Sequence, residues 1–216
     1  MSTTSHAREQ ILGKIHAATQ PDGGQQQSYA ALPRPCIRHG KLTAEGCLEL
    51  LIERLREYDA EVVEATPEEL PDAIASQLAA SGKHIFVAPE GLPTEWLIKG
   101  FDWRIDKGLS HTEIEQIEGV VTAAFCAVAD SGTIVLHHSA TEGRRVLTLL
   151  PDWHLCVLRA SQVVETLPEY FDRCEKPATL ATYISGPSAT ADIEMTRIKG
   201  VHGPRFLHVI LVRDQG

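Results

Sequence analysis

EVVEATPEELPDAIASQLAASGKHIFVAP, residues 61–89, decides the fold. It opens on a β-branched run, EVVEAT (61–66), and closes on an apolar one, HIFVAP (84–89). Between them PEELPDAIASQLAASG (67–82) reads as a helix, with Pro71 either in its first turn or breaking it. Strand, helix and strand with short connections are the signature of a parallel sheet with crossover helices.

Working outward, the rhythm persists. Upstream, Leu48, Leu51, Ile52 and Leu55 make a helical apolar face. Downstream, GVVTAAFCAVAD (119–130) and TIVLHH (133–138) flank a sharp turn signal at Asp130-Ser131-Gly132. Arg145 to Leu150 reads as a short helix stopped by Pro151. WHLCVLR (153–159) is an apolar strand, SQVVETLPEYFDRC (161–174) a helix, and ATLATYI (178–184) another strand. FLHVILVR (206–213) is a continuous apolar strand, which implies burial on both faces. The expected class is α/β, a mostly parallel sheet flanked by helices. Residues 5–19 form an amphipathic helix carrying Ile11, Leu12 and Ile15, followed by the irregular stretch PDGGQQQSYAALPRP. Residues 1–40 are therefore expected to be a helical arm and linker, and residues 41–216 the α/β domain.

Composition narrows the function. A chain of 216 residues builds one good core, and its 43% hydrophobic and 23% charged content is that of a globular protein. A net charge of −9, with nothing more basic than Arg144-Arg145, argues against a nucleic-acid binder. Met1 to Gln10 lacks the apolar run of a signal peptide, and no stretch is long enough to cross a bilayer. A soluble, cytoplasmic protein without a membrane partner is the expectation. Five cysteines (Cys36, Cys47, Cys126, Cys156, Cys174) are scattered without a C-x-x-C pair, so the usual zinc and iron–sulfur spacings are missing. They read as buried, inert thiols. The histidines His137, His138, His154 and His202 lack a ligand spacing, and the adjacent pair faces opposite sides of a strand. No metal is expected, and no cofactor, because no G-x-G-x-x-G follows a strand.

Chemistry concentrates in the loops after the strands, where open α/β sheets bind ligands. One loop holds Asp130, Ser131, Gly132 and Thr133; a second holds Glu142, Gly143, Arg144 and Arg145. The third is Ser185-Gly186-Pro187-Ser188-Ala189-Thr190-Ala191-Asp192-Ile193-Glu194, followed by Gly200-Val201-His202-Gly203-Pro204. Ser188 or Thr190 can cap a helix starting there, whose free amides attract an anion while Gly186 permits close approach. The same residues also describe an ordinary capped helix with Asp192 and Glu194 in its first turn. Arg144 and Arg145 can clamp a carboxylate. His202, between glycines and a proline, is either a general acid or base or a structural histidine.

EGVVTAAFCAVADSGTIVL, EGRRVLTLLPDWHLCVL, YISGPSATADIE and KGVHGP, in that order, resemble the LUD family from Glu118 onward, and more loosely from Leu42. The resemblance implies a sheet of the sugar-phosphate isomerase and CoA-transferase type. It also implies a part in oxidising lactate to pyruvate beside iron–sulfur sister proteins, with a small carboxylate or phosphate as ligand. The binding candidates are Asp130, Ser131, Gly132, Thr133, Arg144, Ser185, Gly186, Ser188, Thr190, Asp192 and Gly203. An alternative is a free-standing CoA-transferase-like or sugar-phosphate enzyme. By analogy of fold its catalytic candidates are Glu142 or Glu194 as nucleophile, with His202. A pure assembly module is a third reading, and the residues leave open whether the chain is catalytic.

Overall fold

The computed structural model describes residues 3–19, 32, 37–174, 176, 178–190, 198–200 and 203–214. The chain divides into two compact units, Met1–Cys36 and Ile37–Gly216. The first contains one helix, α1 (Thr3–Thr19), on which Ile11, Leu12 and Ile15 are exposed. We expect removal of residues 1–36 to leave a chain that unfolds in one cooperative transition, its Tm within about 4 °C of the full chain. Differential scanning calorimetry checks this; a broad, non-cooperative melt would show that the arm completes the core.

The second unit is built on two sheets, with a separate two-stranded pair described below. Its helices are α2 (Ala44–Glu57), α3 (Leu70–Ala80), α4 (His111–Glu115) and α5 (Leu167–Arg173). Six parallel strands form the main sheet: β1 (Glu61–Ala65), β2 (Ile85–Pro89), β3 (Asp102–Asp106), β4 (Gly119–Ala123), β7 (Trp153–Arg159) and β12 (Phe206–Val212). Their spatial order is β1-β12-β7-β4-β2-β3. The expected α/β class and parallel sheet are thus present. Pro71 does lie in the first turn of α3, where its missing N–H costs nothing.

The second sheet is smaller and mixed. It holds β5 (Cys126–Val128), β6 (Thr133–Leu136), β8 (Val163–Val164) and β9 (Thr182–Ile184), in the order β8-β5-β6-β9. GVVTAAFCAVAD is therefore two strands in two sheets. The transfer happens between neighbours: the Ala124 N–H bonds to the Val157 carbonyl and the Phe125 N–H to the Val135 carbonyl. SQVVETLPEYFDRC likewise divides into a 3-10 turn, β8 and α5. The Thr166–Glu169 capping box and Pro168 start the helix late.

Alternation sorts the main sheet's side chains to two faces. Phe86, Val121, Trp153, Leu155 and Ile210 pack with Ile74 and Leu78 of α3. On the other face Cys156, Leu158, Val209 and Leu211 meet Leu51 and Leu55 of α2 and Ala127, Ile134 and Leu136 of the small sheet. His154 and Thr122 project from this second face, into the seam between the sheets.

One local reading is corrected. Ala189–Thr190 is a strand, β10, paired antiparallel with β11 (Ile198–Lys199), and no helix starts at Ser188. The Ser188 N–H is bonded to the Pro204 carbonyl, and its own carbonyl accepts from the Gly200 N–H. The Ser188 amide is therefore already paired and does not turn outward to a ligand.

Candidate functional site

The 3-10 turn Arg145–Thr148 packs its Leu147 against Val87 and Val120 of the main sheet. In such a turn successive side chains diverge by about 120°. Arg144, still extended at the N-cap of the turn, and Arg145, its first residue, point into two different cavities.

The seam cavity holding Arg145 measures about 230 Å³. Thr148, His154, Thr182, Ser185, Gly186, Ser188 and Gly203 share its wall. His154 and Leu207 come from the first turns of pleat of β7 and β12, so this cavity sits at the amino ends of those strands. It breaks the expectation of a carboxyl-end site. Arg145 is half-buried, and its guanidinium forms no hydrogen bond or ion pair among the described residues. Ser185 Oγ lies 2.7 Å from Thr133 Oγ1, which lies 2.8 Å from Ser131 Oγ. Two of the expected loops, DSGT and SGPS, are therefore joined by hydroxyls. Gly186 has φ +90°, and a Cβ there would stand 2.6 Å from Tyr58 Cβ. Packing against the end of α2 thus suffices to explain the glycine.

His154 was not among the sequence candidates, yet it is the titratable group most deeply set in this wall. It is 1% exposed, its Nε2 is 2.8 Å from Thr122 Oγ1, and burial lowers its pKa to about 4. Its strand hid it: it shares a face with Cys156 and Leu158, both buried, and that phase alone would have marked it as a buried titratable residue.

The second cavity, about 330 Å³, lies at the carboxyl ends of β2 and β3, between Glu90, Asp106, Lys107, His138 and Arg144. Here Arg144 clasps Asp106 through Nε–Oδ2 at 2.8 Å and Nη2–Oδ1 at 2.6 Å, and it also donates to the Leu109 carbonyl. That bond, with amides of Leu109 and Gly108, holds the Asp106 carboxyl below the ordinary aspartate range. Lys107 faces Glu90 at 3.9 Å, so both cations in this cavity stand opposite carboxylates. His138 separates the two cavities. It adopts φ +57°, with Nδ1 2.8 Å from the Gly143 carbonyl and Nε2 2.7 Å from Thr182 Oγ1.

The remaining candidates lie apart. Glu142 is 3% exposed, accepts from Ser139 Oγ at 2.7 Å and from the His137 N–H, and lines neither cavity. Asp130 and Gly132 shape the β5–β6 turn, where a Cβ on Gly132 would press on Arg54. Thr190 is backbone of β10. Asp192, Glu194 and His202 fall outside the described residues. Burial lifts the pKa of Cys126 to about 11 and that of Cys156 to about 12, so neither is a thiolate at neutral pH. Among the described residues no three His, Cys, Asp or Glu side chains converge as a metal site. No described helix is long and apolar enough to cross a membrane.

Comparison with known proteins fits this architecture. Residues 48–212 match the LUD domain family model. A lactate utilization protein C from Deinococcus radiodurans is 36% identical, the match covering 97% of each chain. The protein of that name from Bacillus subtilis is 29% identical over 98% of this chain and 93% of its own. A crystal structure of a DUF162 family protein from Deinococcus radiodurans superposes with a TM-score of 0.67. It is 36% identical and covers 80% of this chain and 99% of that one.

Proposed function

Because the chain belongs to the LUD domain family, we propose that it serves a lactate-utilisation system as the component that holds a small 2-hydroxy or 2-oxo acid. Iron–sulfur sister proteins would carry the electrons, since the thiols described here are dispersed and form no cluster-binding set. The single observation that carries the reading is Arg145. It is a half-buried cation without a counter-ion among the described residues, in a 230 Å³ cavity whose other polar side chains are hydroxyls and one neutral imidazole, among apolar neighbours such as Leu149, Ile184 and Leu207.

An unbalanced cation in a partly desolvated pocket attracts an anion whatever the net charge of the chain. The cavity is smaller than the roughly 300–1,000 Å³ that accommodates drug-sized ligands, which suits an acid of a few heavy atoms. Ser185 and Ser188 supply the polar atoms that fix its orientation. Catalysis through Glu142, as in a CoA transferase, is disfavoured by that residue's burial away from both cavities.

Isothermal titration of the full chain with lactate and pyruvate tests this. Arg145→Ala should weaken binding about 10- to 100-fold, as expected for a charged hydrogen bond of about 1.5–3 kcal/mol. Arg144→Ala should leave the affinity unchanged. It should lower stability by about 2 kcal/mol, because Asp106, 4% exposed at its side chain, loses its bidentate partner. Equal binding by wild type and Arg145→Ala, or loss of binding with Arg144→Ala alone, would reverse the assignment.

A further inference from the structure

We propose that His138 is a positioning residue that couples the binding of an acid in the seam cavity to the uptake of a proton, with Thr182 as the hydroxyl between them. The inference rests on the carboxylate reading above and adds the protonation that accompanies binding.

A group that can only accept fixes the direction of the bonds. The Gly143 carbonyl lies 2.8 Å from His138 Nδ1, so Nδ1 carries a hydrogen in the neutral ring and in the imidazolium alike. In the neutral ring Nε2 is then bare, and the Thr182 hydroxyl, 2.7 Å away, donates to it. In the imidazolium the same bond reverses: Nε2 donates, and the threonine proton is released. Thr182 is 5% exposed, and its Oγ1 has no other hydrogen-bond partner among the described residues. With the cavity empty, the released proton lacks an acceptor, which favours the neutral ring. The arrangement is held at a cost, since φ at His138 is +57°, a left-handed conformation that residues with a Cβ seldom adopt.

A carboxylate held at Arg145 changes the balance. Thr182 shares the cavity wall with Arg145, and the anion brings the missing acceptor to that wall. It also neutralises the arginine, whose charge opposes a second cation nearby. The other charges around His138 stay as they are. Toward the second cavity Arg144 is held by Asp106, and Lys107 stands opposite Glu90. His137 and Glu142 belong to the histidine's own loop, and His154 to the seam wall. A ligand that raises the proton affinity of His138 must bind with proton uptake, and its own affinity must rise as pH falls.

Titration calorimetry of the full chain with pyruvate tests this, in HEPES and in Tris at pH 7.5, whose ionisation enthalpies differ. The wild type should take up about half a proton or more per pyruvate bound. Its affinity should rise about fivefold or more from pH 8.5 to pH 6.5, a range in which a carboxylic acid stays ionised. His138→Asn keeps a residue that tolerates left-handed backbone and an amide donor for the Gly143 carbonyl. In this variant the uptake should vanish and the affinity should change by less than about twofold over the same range. In nitrogen-15 NMR of the wild type, His138 Nδ1 should be protonated throughout, and Nε2 should move toward the protonated shift when pyruvate saturates. An unprotonated Nδ1, or an Nε2 that does not respond, overturns the proposal without recourse to any variant. Uptake that persists in His138→Asn overturns it too, and passes the proton to another group such as His154. Binding without uptake, with Arg145 dependence intact, overturns the coupling and leaves the carboxylate reading standing. If neither pyruvate nor lactate binds, the carboxylate reading falls and takes this inference with it.

Discussion

Between pH 7 and pH 4 the native state should lose about 3 kcal/mol through His154 alone. Unfolded, this histidine titrates near the ordinary 6.5; folded, burial holds it to about 4. Across that interval the unfolded chain takes up a proton that the native chain refuses, so stability falls as pH falls. At about 1.36 kcal/mol per unit, the gap of two to three units gives about 3 kcal/mol. The buried face of His208 is displaced in the same direction, again by burial, and steepens the slope further. Urea unfolding of wild type and His154→Gln at a series of pH values isolates the term. The variant's stability should be flatter between pH 6.5 and 4 by about that amount. Parallel curves would show that His154 is protonated in the fold, and that water or an anion reaches it more freely than its burial implies.

Gly186→Ala should destabilise the molecule by about 3 kcal/mol. Two terms combine. The backbone at φ +90° is strained for any residue with a Cβ, by about 1–2 kcal/mol. The new methyl would also stand 2.6 Å from Tyr58 Cβ and 3.2 Å from the Tyr58 carbonyl, and such overpacking adds about 1–3 kcal/mol. Gly108→Ala separates the terms, because φ there is +99° but nothing lies within 4 Å of the added Cβ. It should show the strain alone. Equal destabilisation of the two variants in urea would mean that the β9–β10 loop simply retreats from α2.

What could be read in the sequence followed burial. β2, β7 and β12 declare themselves because a strand covered on both faces is nearly apolar throughout, β1 by its β-branched pair Val62-Val63, and α2 because four buried residues recur at helical spacing. β3 carries Trp103 and Ile105 in alternation, but the three charged residues of DWRID mask the period in this edge strand. The small sheet has strands of two to four residues, too short to show any period, and its existence depends on the exchange of partners at Ala124 and Phe125. At the site, the SGPS loop stood out by composition, but Gly186 is accounted for by packing on Tyr58. Which of two adjacent arginines faces the cavity depends on where the chain passes from extended Arg144 into the 3-10 turn at Arg145, which composition does not encode. Arg144 goes to Asp106 because β3, the strand whose period is masked, ends there.

β12 lies between β1 and β7 in the main sheet, with Glu61 opposite His208 and Trp153 opposite Phe206. β1 has no other strand neighbour. During synthesis, then, the first strand to emerge waits for the last before it can pair, and β7 presents an open edge meanwhile. Contacts of such long sequence separation form slowly, and unpaired edges invite association between nascent chains. A ribosome stalled short of residue 206 would display two sticky edges at once. The main sheet is therefore complete only once β12 has emerged and entered between β1 and β7.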